Sequence, residues 1–290
     1  MSNDTARAAP PVARYLAERF PPTQAAAALS ILVCSFLLYG AVADDHAPAA
    51  AWVGGAVTVA ALLLVHRLAD DITDAADDPT PAFTARGMLI GALALVAVTA
   101  LANALVHWTL GVFVLAVAGW SAAGNLADRR FGGALGVWLL CDIAVALILL
   151  YPYLLWRQAT DASVDGVVVA GLVAGLWTGY LFWVLSRKAG KPEWLAPGVR
   201  AATLRVWLSA MLVCSAVAAV LAGASRALPL SYPTLGVVVA LVLAVLMLRW
   251  WPDESGTPRA GRSRAWAGLT LLLTTQLNAI VAAIVLHTGS

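Results

Sequence analysis

Along this 290-residue chain, apolar runs about as long as a bilayer is thick follow one another with only short polar interruptions. A membrane-crossing helix needs roughly 20 such residues. The chain therefore has room for many crossings and none for a large domain outside the membrane. Composition agrees: 61% of residues are apolar and 12% charged, against about 45–50% and about 25% in soluble domains. The mean hydropathy is +0.84. Only lipid can solvate that much hydrocarbon.

Charge and Pro/Gly clusters divide the runs into nine predicted spans, near 24–42, 52–69, 87–105, 106–121, 133–156, 165–185, 201–224, 233–250 and 266–286. The third and fourth are separated because the stretch from Arg86 to Ser121 is too long for one crossing (~1.5 Å rise per residue against a core of about 30 Å). Residues 1–23 read as an N-terminal segment on the cytoplasmic side, and 24–290 as one nine-helix membrane domain. The first span reads as a retained helix, since no small-x-small cleavage site follows it at a suitable distance. With the N-terminus inside, the outer segments hold only Arg157 and Arg226, so 16 of the 18 Lys and Arg lie on one side. The positive-inside rule asks for that bias, and removing one helix would destroy it. The C-terminus then lies on the opposite side.

The net charge of +2 points to no charged partner, and nothing suggests nucleic acid. Cys34, Cys141 and Cys214 are far apart within apolar runs and read as small buried residues. Trp52, Trp108, Trp156, Trp250, Trp251 and Trp266 fall near span ends, where amphipathic rings favour the headgroup zone. Gln276 and Asn278 suit interhelical hydrogen bonds. His66 has no partner spacing that suggests zinc.

Chemistry concentrates at the end of the second span, in Arg67-Leu68-Ala69-Asp70-Asp71-Ile72-Thr73-Asp74-Ala75-Ala76-Asp77-Asp78, which holds five of the 16 acidic residues. On a helix Asp71, Asp74 and Asp78 share one face. Carboxylates so close repel one another, and a divalent cation removes that cost. Hard oxygen ligands are what Mg²⁺ takes, usually together with substrate phosphates. The alternative is a solvated acidic loop. Asp142, inside the fifth span, is the clearest intramembrane carboxyl, a residue type that is costly in lipid and usually faces a cavity or a partner. It suits either catalysis or a hydrogen bond to a neighbouring helix.

These residues resemble the UbiA superfamily of intramembrane prenyltransferases, whose first motif reads Asn-Asp-x-x-Asp-x-x-x-Asp. Here Asp70-Asp71-x-x-Asp74-x-x-x-Asp78 stands at the same place, with Asp in the Asn position. Tyr15-Leu16-Ala17-Glu18-Arg19-Phe20-Pro21, Arg67 and Ser186-Arg187-Lys188-Ala189-Gly190-Lys191-Pro192 are further matches to one bacterial branch. The resemblance implies an all-α bundle of nine transmembrane helices around a central cavity, with a cytoplasmic active-site mouth. It implies Mg²⁺ as cofactor, held by Asp71, Asp74 and Asp78, with Asp70 orienting the site. Arg67, Arg129, Arg130, Arg187 and Lys188 would meet an isoprenyl diphosphate, whose prenyl group passes to an aromatic or lipid-soluble acceptor within the bilayer.

Two departures open a second reading. The family's second Asp-rich motif is missing from Trp183 to Trp194, where only Glu193 is acidic, and the stretch after the first motif is reduced to Pro79-Thr80-Pro81-Ala82-Phe83-Thr84-Ala85-Arg86. Either the protein holds its diphosphate with one metal cluster and more basic contacts, or it is a terpene cyclase that closes its own prenyl cation. A cyclase needs aromatic faces for cation–π attraction, for which Trp138, Trp177, Tyr180 and Trp183 are candidates.

Overall fold

A computed structural model describes residues 11–19, 22–74, 83–131, 135–189, 201–225, 227–250 and 258–289. Among them every element is a helix. In chain order these are α1 (Pro11–Arg19), α2 (Pro22–Ala43), α3 (Ala49–Asp74), α4 (Ala85–Val106), α5 (Trp108–Arg130), α6 (Leu135–Cys141), α7 (Ile143–Thr160), α8 (Gly166–Ala189), α9 (Ala201–Gly223), α10 (Ser231–Trp250) and α11 (Pro258–Gly289). Eight helices among the described residues are long and apolar enough to cross a membrane. The first predicted span is a further helix, α2, with a shorter apolar stretch over Leu29–Ala43. Large apolar side chains such as Leu93, Leu105 and Leu241 are exposed on these helices. Lipid is the solvent that tolerates such a surface.

The predicted split of the long third run falls at His107. There the backbone leaves the helix (φ −157°, ψ 133°), and Nδ1 accepts from the Thr109 amide at the start of α5. Asp44 and Asp161 adopt the left-handed conformation just after α2 and α7, a geometry that Asp tolerates better than most residues. Two expectations are corrected and one helix is added. The fifth span remains one crossing over Leu139–Thr160 but is interrupted by a one-residue turn at Asp142, between α6 and α7. The last helix starts at Pro258, eight residues before the predicted span. The N-terminal segment carries a helix of its own, α1.

The chain forms two compact units. One comprises 1–32, 49–131 and 136–148, the other 33–48, 132–135 and 149–290. In the first, α3 packs on α4 and α5, and α4 packs on α5. Gly111 makes the α4–α5 crossing tight, since a Cβ there would come within 2.8 Å of the Ala100 carbonyl. Asn103 ties α4 to α3 by donating to Thr58 Oγ1 at 3.0 Å. Small residues and side-chain amides are how helices associate where no hydrophobic effect drives them together.

In the second unit α8 packs on α9 and α11, and α10 on α9 and α11. A Cβ on Gly171 would come within 2.4 Å of Ala222, and one on Gly268 within 2.3 Å of the Trp183 backbone. Asn278 donates to the Tyr232 carbonyl at 2.7 Å, the interhelical role expected of it. Trp108 and Trp266 are exposed, as interfacial rings should be, whereas Trp156 is fully buried against Tyr39, with ring centroids 6.0 Å apart. Its nearness to a helix end reflects core packing instead. Cys34 and Cys141 are buried as expected, but Cys214 faces outward from α9, where an apolar thiol is at home in lipid.

Candidate functional site

The acid-bearing end of α3 is built by three helices of the first unit. Within α3, Arg67 sits one turn before two aspartates and bonds both: Nη1 donates to Asp70 Oδ2 at 2.6 Å and Nη2 to Asp71 Oδ1 at 2.7 Å. A guanidinium fork meets carboxylates well at the i+3 and i+4 spacings. Asp71 is 4% exposed, and its other oxygen accepts from the Tyr15 hydroxyl at 2.7 Å. Burial of this carboxylate is tolerable because both oxygens are bonded and a positive charge sits beside it.

Tyr15 reaches Asp71 because α1 lies on α3 and α4. Its ring is buried with Leu68 and Met88, and meets Phe83 edge-on at 5.9 Å. The third helix is α5, whose Arg129 donates through Nη1 to the Thr73 carbonyl at the end of α3. Thr84 caps the start of α4 by accepting from the Gly87 amide at 3.1 Å. Arg67, Asp70, Asp71, Arg129 and Tyr15 thus converge, while residues 98–118, around the opposite end of α4 and α5, carry no Asp, Glu, Lys or Arg.

Asp142 belongs to a second layer of the same unit. It stands in the N-cap position of α7, with its carbonyl accepting from the Val145 amide at 3.0 Å, and it is 5% exposed. The positive end of a helix is a favourable place for a carboxylate in lipid. Gly124 on α5 makes room for this break. A Cβ there would fall 2.9 Å from Cys141 Cα, and Cys141 Sγ donates to the Gly124 carbonyl at 2.7 Å. Trp120 Nε1 holds the same strand of backbone by donating to the Leu140 carbonyl at 2.8 Å. Beside Asp142 lie His66, with Nε2 3.8 Å from Oδ1, and Ser121, whose Oγ is 3.2 Å from His66 Nδ1.

The other expected site residues distribute as follows. Asp74 ends α3, but its side chain, like those of Trp138 and Lys188, lies outside the described residues, as does Asp78 altogether. Arg130 is exposed at the end of α5. In the second unit Arg187 stacks its guanidinium over Trp183 at 5.1 Å, Tyr180 lies 6.3 Å from Trp183, and Trp177 is half-buried on the same helix. Tyr15, Thr73, Ser121 and the pairing of His66 with Asp142 were missed in the sequence. Tyr15 carried a signal only as part of the motif before the first span.

Among the described residues no three His, Cys, Asp or Glu side chains gather as a metal site. The donor chemistry at the end of α3 nonetheless suits Mg²⁺. Among the described residues its donors are carboxylates, Asp70 and Asp71, the hard oxygen ligands that Mg²⁺ takes.

No protein-family model matches the chain, and no curated protein sequence matches it. Solved structures do. A digeranylgeranylglyceryl phosphate synthase of membranes superposes with a TM-score of 0.65 at 8% identity, over 88% of this chain and 94% of the other. The apo structure of a UbiA homolog from Aeropyrum pernix K1 gives 0.57 at 16% identity, over 89% and 98%. At such identities the likeness is one of fold. The chain has the all-helical membrane fold of the UbiA prenyltransferases.

Proposed function

We propose that the protein is a Mg²⁺-dependent intramembrane prenyltransferase that ionises an isoprenyl diphosphate and passes the prenyl group to an aromatic or lipid-soluble acceptor. The observation that carries this reading is the buried Asp71 carboxylate, fixed by Arg67 and Tyr15 at the acid-bearing end of α3 in a UbiA-type fold. Fixed carboxylates with guanidinium groups beside them suit the binding of a metal diphosphate. Positive-inside bias supports a cytoplasmic placement of that end.

On this reading Asp71 and Asp74, with Asp78 beyond them, hold the metal, which when bound draws negative charge onto the departing diphosphate. Arg67 aims Asp71, Tyr15 fixes its second oxygen, and Asp70 orients Arg67 from the other side. Arg129 brings positive charge to the same end, where it stabilises the leaving group as its charge grows. Arg130, Arg187 and Lys188 are further candidates for diphosphate contact. The prenyl tail lies in the apolar interior, where water is excluded and the allylic cation survives long enough to react.

Cyclisation of the prenyl diphosphate itself is the second reading. It is favoured by the lack of acidic residues other than Glu193 from 183 to 194, the stretch that would otherwise supply a second metal cluster. Trp138, Trp177, Tyr180 and Trp183 are the aromatic candidates for stabilising its cations.

Purified protein incubated with C10, C15 and C20 prenyl diphosphates and Mg²⁺ separates the readings. Diphosphate release that requires an added acceptor supports transfer. A cyclic hydrocarbon or alcohol formed without one supports cyclisation. No Mg²⁺-dependent release under either condition overturns both.

A further inference from the structure

His66 on α3, Ser121 on α5 and Asp142 between α6 and α7 are distant in sequence and meet inside the first unit. Ser121 is fully buried, Asp142 nearly so, and the imidazole keeps a little exposed surface. An imidazole, a hydroxyl and a carboxylate gathered within a membrane-spanning bundle are costly and call for a function. Their depth is informative. His66 precedes Asp71 by five residues on α3, and Ser121 precedes Arg129 by eight on α5. At ~1.5 Å per residue the imidazole layer lies roughly 7–12 Å inward of the Asp71–Arg129 layer.

The two ring nitrogens are held differently. Nδ1 is at hydrogen-bond distance from Ser121 Oγ, whereas Nε2 faces Asp142 Oδ1 across 3.8 Å, too far for a hydrogen bond. That gap fits a ring whose proton sits on Nδ1 and is donated to Ser121. Nε2 then presents a lone pair, and a lone pair and a carboxylate oxygen, both acceptors, stand apart.

We propose that His66 is the proton acceptor of the reaction, with Ser121 and Asp142 as its positioning residues. The proposal rests on the prenyl diphosphate reading above. In that reaction the C1–O bond breaks and its electron pair leaves on the diphosphate. The pair that fills the cation comes from the acceptor, or from a C–H bond next to a cationic carbon. Either way one proton is released beneath the diphosphate layer, and His66 takes it on Nε2. The imidazolium then donates to Asp142, and the 3.8 Å gap closes into a charged hydrogen bond. A neutral ring, by contrast, gains nothing from that carboxylate.

The test is His66→Gln, which keeps a donor toward Ser121 and loses the basic nitrogen. Binding of a non-ionising C15 prenyl thiolodiphosphate with Mg²⁺ is measured beside turnover. General bases are worth about 100-fold or more in rate, so kcat should fall by at least that factor while KM and analogue binding stay within roughly threefold. Asp142→Asn should lower kcat about tenfold alone and add nothing in the His66→Gln background, as coupled residues do. Wild-type-like turnover by His66→Gln, or a loss confined to KM, overturns the proposal and leaves the proton to another base such as the departing diphosphate. If His66→Gln does not fold, Asp142→Asn decides alone: lower kcat with intact analogue binding supports the proposal, and unchanged kcat overturns it. Wild-type protein that neither binds the analogue nor releases diphosphate overturns the prenyl reading itself, and this proposal with it.

Discussion

The Tyr15 hydroxyl donates a 2.7 Å hydrogen bond to Asp71 Oδ2, fastening α1 to the acid-bearing end of α3 across 56 positions of sequence. A hydrogen bond to a charged group is worth about 1.5–3 kcal/mol. Tyr15→Phe keeps the ring among Leu68, Met88 and Phe83 and removes only that bond. Its expected effect is a roughly tenfold fall in diphosphate release with a modest drop in thermal stability. Tyr15→Ala should lose distinctly more stability, since it empties a buried aromatic site at a cost of about 3–5 kcal/mol. Melting curves and a diphosphate-release assay on both variants check the difference.

Asp71 and Arg67 form a pair in which the carboxylate is buried and the guanidinium half-buried. Removing one partner of such a pair leaves the other uncompensated, at about 3–5 kcal/mol for full burial. Arg67→Ala is therefore expected to destabilise more than Asp71→Asn, which leaves no buried charge behind. Asp71→Ala and Asp74→Ala should both abolish turnover while eluting as folded protein in size-exclusion chromatography. Near-normal activity in both would refute the metal role.

Gly124 sets how closely Cys141, and with it Asp142, can approach α5. Overpacking such a contact costs about 1–3 kcal/mol, so Gly124→Val should lower the melting temperature and reduce turnover. Gly119, five residues earlier on α5, has nothing within 4 Å of the position a Cβ would take. Gly119→Ala should be silent in both measurements.

Arg129 and Arg130 are both exposed at the end of α5, and Arg129 donates to the Thr73 carbonyl. Arg129→Ala should raise KM for the prenyl diphosphate roughly tenfold, a loss of about 1.4 kcal/mol in binding. Arg130→Ala should change KM by less than about threefold. Equal effects of the two substitutions in steady-state kinetics would count against a directed role for Arg129.

The sequence by itself determined the solvent, the succession of helices and the place where charge gathers. These follow from local rules. Apolar length fixes a span, charge asymmetry fixes the order of loops, and helical spacing put Asp71 and Asp74 on one face. Even the His107 break was legible, because a single helix cannot exceed the bilayer indefinitely. Only the tertiary structure decided what each charge meets. Arg67, expected at the substrate, bonds Asp70 and Asp71. Tyr15 was legible only within a motif, and its bond to Asp71 depends on α1 lying on α3. The break at Asp142 depends on Gly124 and Trp120 from another helix, and no periodicity along the fifth span announces it. His66 looked unremarkable because its partners, Ser121 and Asp142, are 55 and 76 positions away. Spacing reveals neighbours along one helix; partners across helices are chosen by packing, which sequence encodes only through the whole set of contacts at once.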